Sequence, residues 1–242
     1  MLESTRRAQE VNSASERFKS PNEAVNFELG CIFIAVPKTG TSSVRGQVRS
    51  SGPFLIRDSH LTLSQVKSTL YTYLLSCSLG KNNSSPASEN VKAELELRNH
   101  FNRIFEEMFK FGSVRNPWAR TFSLYRRREG IQTSQKMSFP EFVESIRYAS
   151  DTCVHPLRTR SQLDWFKDEQ GNVNMDYIFK LEEMDLAIRH IMEATNGRIA
   201  LQNRKENTNP DQRSYRDAYS DKEKKLIQRL FAEDIEAYNY SF

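Results

Sequence analysis

The sequence has no apolar run longer than the six residues Cys31 to Val36, far below the roughly 20 that a membrane-spanning helix requires. Residues 1–20, MLESTRRAQEVNSASERFKS, hold no apolar segment of the signal-peptide kind, which predicts a cytoplasmic protein. Cysteine is scarce. Cys31, Cys77 and Cys153 lie far apart, form no C-x-x-C pair and have no histidine at zinc spacing, so they read as structural thiols rather than a redox pair or metal site. An excess of one charge is lacking too: 35 Lys+Arg against 31 Asp+Glu leave a formal charge of +4, too small to name an anionic partner. The N-x-[ST] triplets at Asn82, Asn83 and Asn239 carry little information without a secretory route.

What is present suffices for a core. With 38% hydrophobic and 11% aromatic residues in 242, the chain fits one α/β domain. Residues 1–26 read as a polar N-terminal arm and 27–242 as one folded domain. Cys31-Ile-Phe-Ile-Ala-Val36 is a continuous, β-branched apolar run closed by Pro37, the pattern of a central parallel strand buried on both faces. A turn and then a helix over about 42–50 follow. Residues 61–109 read as helical in parts, broken by Gly80-Lys-Asn-Asn-Ser-Ser-Pro86, with Ile104, Phe105, Met108 and Phe109 at helical spacing. The first theme then repeats: a strand at 109–114, a turn at Arg115-Asn-Pro117 and a helix over 118–128. Ser138 with Glu141 opens a helix to about Tyr148, and Ser220 with Glu223 opens a last long helix striped by Leu226, Ile227, Leu230, Phe231 and Ile235. Tyr177–Lys180 reads as a third short strand before a helix over 184–196, stopped by Gly197.

The chemistry concentrates at the two strand-turn-helix junctions. In Pro37-Lys38-Thr39-Gly40-Thr41-Ser42-Ser43, a turn at a helix N-terminus aims backbone N–H groups and the positive helix end at one point. Lys38 adds a charge, Gly40 permits positive φ, and Thr39, Thr41, Ser42 and Ser43 offer four hydroxyls. This is not the Walker G-x-x-x-x-G-K-[ST] loop, since Lys38 precedes Gly40 and no first glycine exists. At the second junction, Arg115 stands at the turn and Ser123 lies two helical turns down, so both can reach one further anion at the helix's side. Trp118, Phe122 and Tyr125 read as core, and Arg120 as an ion-pair former.

Together, P-K-T-G-T-S-S and R-N-P-W-A-R-T-F-S-L-Y resemble the sulfotransferases that use 3′-phosphoadenosine 5′-phosphosulfate. The pair is similar, more narrowly, to the carbohydrate-type family that includes heparan 2-O-, chondroitin and dermatan sulfotransferases. The likeness runs from about residue 27 to the end, with Gln162, Trp165, Tyr177–Lys180, Glu182, Tyr215, Tyr219, Asp234 and the Tyr238–Phe242 finish, and is loose between 61 and 109. It implies a P-loop-like three-layer fold with a mostly parallel central sheet flanked by helices. It also implies that Lys38, Thr39, Gly40, Thr41, Ser42 and Ser43 hold the 5′-phosphosulfate, that Arg115 and Ser123 hold the 3′-phosphate, and that the acceptor is a hydroxyl of a carbohydrate. Golgi members of the family carry an N-terminal anchor and stem that this sequence does not contain, so the Golgi lumen is not expected.

A sulfuryl group carries less charge than a phosphoryl group, so no metal is expected. The acceptor hydroxyl needs a base, and imidazole titrates in the right range. Of His60, His100, His155 and His190, His60 is the chosen base, because its place between the two motifs is similar to that of a histidine used so in this family. His155 is the reserve, His100 and His190 read as packed or solvated, and a carboxylate base stays open. Two other classes are weighed: a P-loop kinase, which lacks its signature here, and a nucleic-acid module suggested only by Arg126-Arg127-Arg128, with no accompanying motif. Nucleic acid is therefore not an expected partner.

Overall fold

Alternate residues of one short strand face two different cores, and this organises the molecule. The computed structural model describes residues 18–79, 87–126, 137–146, 161–204 and 214–242. Strand β2 (Cys31–Ile34) is buried at every position and lies between β1 (Val25–Asn26), antiparallel to it, and β3 (Phe109–Val114), parallel to it. Strand β4 (Tyr177–Lys180) extends the sheet parallel to β3, giving the order β1-β2-β3-β4. Ile32 and Ile34 pack with α2 (Leu63–Leu79) and α3 (Ala87–Glu107). Cys31 and Phe33 pack with α1 (Thr41–Val48) and α6 (Met184–Ala194). Burial of each large aliphatic side chain contributes roughly 1.5–3 kcal/mol, and a one-residue slip would exchange the two faces, so the register is firmly set. The result is the expected three-layer α/β architecture with a mostly parallel sheet.

A third cluster joins α4 (Pro117–Tyr125), α5 (Phe139–Ile146) and α7 (Asp221–Leu230) with the chain end. Trp118 is buried here and Phe122 and Tyr125 pack against the cluster, matching their reading as core. The capping residues act as expected: the Ser138 backbone N–H and hydroxyl both donate to Glu141 at 2.7 Å, and Ser220 with Glu223 forms a capping box. Buried Lys110 closes the end of α3, its Nζ donating to the carbonyls of Met108 at 3.0 Å and Phe105 at 3.3 Å. Burial holds the Cys31 thiol protonated, its pKa pushed up to about 12, in keeping with a structural role.

Two expectations change. The polar arm ends earlier than residue 26, because Val25 and Asn26 form β1 and Asn22 is fully buried, its Nδ2 donating to the carbonyls of Ile56 and Asp58 at 2.8 and 2.7 Å. Their polar side chains satisfy backbone groups, which hydrophobic patterning alone cannot register. The last helix is two: Phe231, at φ −120° and ψ 32°, separates α7 from α8 (Ala232–Ala237), and the break turns Asp234 into the interior, where it is 0% exposed. The 80–86 break, Arg127, Arg128, Cys153, His155 and the predicted helix end near Tyr148 lie outside the described residues.

Gly112 in β3 is where the sheet meets the turn at Leu163–Phe166: a Cβ there would stand 2.4 Å from Phe166 Cε1 and 3.1 Å from the Ile34 carbonyl oxygen. Gly112→Ala is expected to cost about 1–3 kcal/mol by overpacking, measured as a lower midpoint in denaturant unfolding.

Candidate functional site

Parallel pairing of β2 with β3 delivers both motifs to the same sheet edge. The first turn leaves β2 with two left-handed residues, Lys38 at φ 69° and Gly40 at φ 75°. Gly40 is the N-cap of α1 and has no side chain with which to cap it. A Cβ on Gly40 would lie 2.4 Å from Leu181 Cδ1, which would have to move, and the left-handed conformation favours glycine there. No acidic residue occupies the first turn of α1. Its leading N–H groups are therefore available to an external anion, with the helix dipole behind them.

The second helix start is arranged oppositely. Asn116 caps α4 itself, its Oδ1 accepting from the N–H groups of Trp118 at 3.1 Å and Ala119 at 3.3 Å. An anion beside α4 must then be held by side chains, and Arg115 and Ser123 are the ones facing the space. Burial lowers the Arg115 pKa, with Glu182, Tyr215 and Tyr240 acting in the other direction. The guanidinium stays charged, and its low-dielectric surroundings strengthen its pull on an anion.

Both arms open into one cavity of about 790 Å³, lined by Lys38, Gly40, Thr41, Ser42, Ser43, His60, Arg115 and Ser123 among others. Seven of the eight residues expected to hold the donor thus share a single space, as does the expected base. Thr39 is the exception. It is 0% exposed, and its hydroxyl is used inside the fold, donating to the Val36 carbonyl at 2.9 Å and meeting Ser113 Oγ at 2.7 Å. Ser113 Oγ also bonds the Thr39 carbonyl at 3.0 Å. The hydroxyl expected to meet an anion instead ties the first turn to β3.

His60 stands just before α2, whose start is fixed by reciprocal bonds between Thr62 and Gln65. Its backbone N–H donates to Asp58 Oδ1 at 2.8 Å, and its Nδ1 lies 2.8 Å from the Ala35 carbonyl. A carbonyl can only accept, so Nδ1 carries the proton and in the neutral ring the basic lone pair is on Nε2. His190 instead stacks on Tyr177, ring centroids 4.0 Å apart, and is absent from the cavity lining, as is His100. The opposite wall comes from Leu181–Leu186 and residues 203–204. It is anchored to α1 by paired bonds between Gln47 and the Gln202 backbone at 2.8 and 3.0 Å.

Gln162 and Glu182, which the sequence likeness names without a role, hold the second arm. Arg120 is 1% exposed and its Nε donates to the Pro37 carbonyl at 3.1 Å. Gln162 clasps the Arg115 peptide from both sides, Oε1 accepting from its N–H at 2.9 Å and Nε2 donating to its carbonyl at 2.8 Å. Glu182 accepts from the Asn116 N–H at 2.9 Å, and Asn116 Nδ2 donates to the Ser241 carbonyl at 2.7 Å. The signal for Arg120 was a charged residue directly after Pro117, Trp118 and Ala119 at a helix start.

Among the described residues no group of three His, Cys, Asp or Glu side chains could hold a metal ion, and no helix is long and apolar enough to cross a membrane. A mostly parallel α/β sheet with an open helix start and a half-buried arginine at adjacent strand ends is an arrangement that suits an anionic ligand at the carboxyl edge of the sheet. A family model described as the sulfotransferase family matches residues 28–241. The chain belongs to that family, which makes it a transferase of sulfuryl groups. Comparison with curated proteins and with solved structures gives no match.

The inward and outward hydroxyls of the first turn should separate in experiment. Thr39→Val is expected to lower unfolding free energy by about 1–3 kcal/mol through its lost buried bonds. Ser42→Ala, at an exposed position, should stay within about 0.5 kcal/mol of wild type. Denaturant unfolding of both variants checks this.

Proposed function

We propose that the protein transfers a sulfuryl group from 3′-phosphoadenosine 5′-phosphosulfate to a hydroxyl of a carbohydrate acceptor. The observation that carries this reading is the single cavity into which two separately built anion sites and one histidine open. The ordinary nucleotides lack the 3′-phosphate, and a donor that has one needs a second cationic site away from the first. Arg115 with Ser123 supplies that site beside α4, while Lys38 and the start of α1 supply the first.

When bound, the donor provides an activated sulfuryl group on a phosphate leaving group. Lys38 offsets the negative charge that grows on that phosphate, and the N–H groups of Gly40 to Ser43 do the same for the sulfuryl oxygens. His60 Nε2 accepts the proton of the acceptor hydroxyl as its oxygen bonds to sulfur. The Ala35 carbonyl, bonded to Nδ1–H, keeps the ring in this tautomer and stabilises the imidazolium that forms. No step in this scheme asks for a metal. A carbohydrate acceptor is favoured by the exposed polar rim, where Ser42, Glu183, Asp185 and Arg204 can meet several hydroxyls at once.

Adenosine 3′,5′-bisphosphate is expected to raise the melting temperature, and ATP with Mg²⁺ to have a much smaller effect. The shift should vanish in Lys38→Ala and in Arg115→Ala. His60→Ala should lower kcat by roughly 10²–10⁴-fold while bisphosphate affinity is kept. Stabilisation by ATP with Mg²⁺ alone would overturn the reading.

A further inference from the structure

A chain of buried polar groups holds the Arg115 arm of the cavity, and it starts at one carboxylate. Asp234, 0% exposed, accepts four hydrogen bonds: Ser161 Oγ to Oδ1 at 2.5 Å, Leu163 N–H to Oδ1 at 3.1 Å, Gln162 N–H to Oδ2 at 2.9 Å and Gln162 Nε2 to Oδ2 at 3.3 Å. Gln162 is itself fully buried, and its amide clasps the N–H and carbonyl of Arg115. The arm of the first turn has its own anchor, Arg120, whose Nε donates to the Pro37 carbonyl at 3.1 Å.

We propose that Asp234 is a positioning residue for the donor: through Gln162 it fixes the peptide of Arg115, and so it sets where the second anion site stands. This rests on the reading of the cavity as a donor site. Asp234 reaches the inside of the molecule because the chain breaks at Phe231, which separates α7 from α8. A carboxylate that merely capped the turn at Leu163–Phe166 would need only the bonds from Ser161 and Leu163. The bonds to both nitrogens of Gln162 carry its influence on to Arg115.

Calorimetry with two ligands tests this. Adenosine 3′,5′-bisphosphate uses both arms, whereas adenosine 5′-phosphosulfate, lacking a 3′-phosphate, uses only the first. Gln162→Ala is expected to weaken the bisphosphate about tenfold and to leave adenosine 5′-phosphosulfate unchanged. Asp234→Asn, which keeps the shape but sets an amide against the Gln162 donors, should do the same. Gln162→Ala added to Asp234→Asn should cost the bisphosphate little more. Should Asp234→Asn fail to fold, Gln162→Ala decides the matter through the same ligand contrast. The proposal is overturned if Gln162→Ala weakens both ligands by the same factor, or if a folded Asp234→Asn binds both as wild type does. A wild-type protein that binds neither ligand overturns the donor reading, and the positioning role with it.

Discussion

Parallel pairing of β2 with β3 is the constraint from which the rest of the site follows. Adjacent parallel strands end at the same edge, so two turns nearly eighty residues apart in sequence become neighbours; Thr39 and Ser113, separated by 74 residues, share a hydrogen bond of 2.7 Å. An antiparallel pairing would have sent the two charged turns to opposite edges. The pairing is affordable only because both faces of the strands are covered, one by α2 and α3 and the other by α1 and α6, leaving no strand face to water.

Bringing two cationic turns together has a cost, and the interior carries its solution. Each arm is anchored by buried polar groups whose partners are complete: Thr39 to Val36 and Ser113, Arg120 to Pro37, Gln162 to the Arg115 peptide. A half-satisfied network in such surroundings would be worse than an apolar core. The same low dielectric that makes these bonds costly to lose makes Arg115 a strong ligand for an anion. Stability and binding thus draw on one set of bonds, and the site is held rigid before any ligand arrives, the condition for electrostatic catalysis.

The sequence disclosed what depends on local pattern. Six apolar residues before Pro37, the Phe109–Val114 run and the Pro117 helix start each report their own conformation, and β3 emerged with its expected bounds. Lys38, Gly40, Arg115 and Ser123 could be named because strand-turn-helix physics demands such residues at those places. What stayed hidden depends on pairing across the chain. Thr39 looked like a ligand because its hydroxyl lies in the turn; only the arrival of Ser113 turns it inward. Arg120 read only as an ion-pair former because nothing near it in sequence reveals the Pro37 carbonyl. Asn22 sat in a stretch too polar to count as core, yet it fastens the loop before His60. The stripe from Leu226 to Ile235 continued through Phe231 without a breaker residue, so the turn that carries Asp234 inward had no local signal.

The central claim is that one ligand bridges the two arms. The most direct measurement is a structure of the protein bound to adenosine 3′,5′-bisphosphate. The account predicts the 5′-phosphate at the start of α1, within hydrogen-bond distance of Lys38 and the N–H groups of Thr41 to Ser43, and the 3′-phosphate between Arg115 and Ser123. A bisphosphate lying in the reverse direction, or holding only one arm while Arg115 faces solvent, would contradict it.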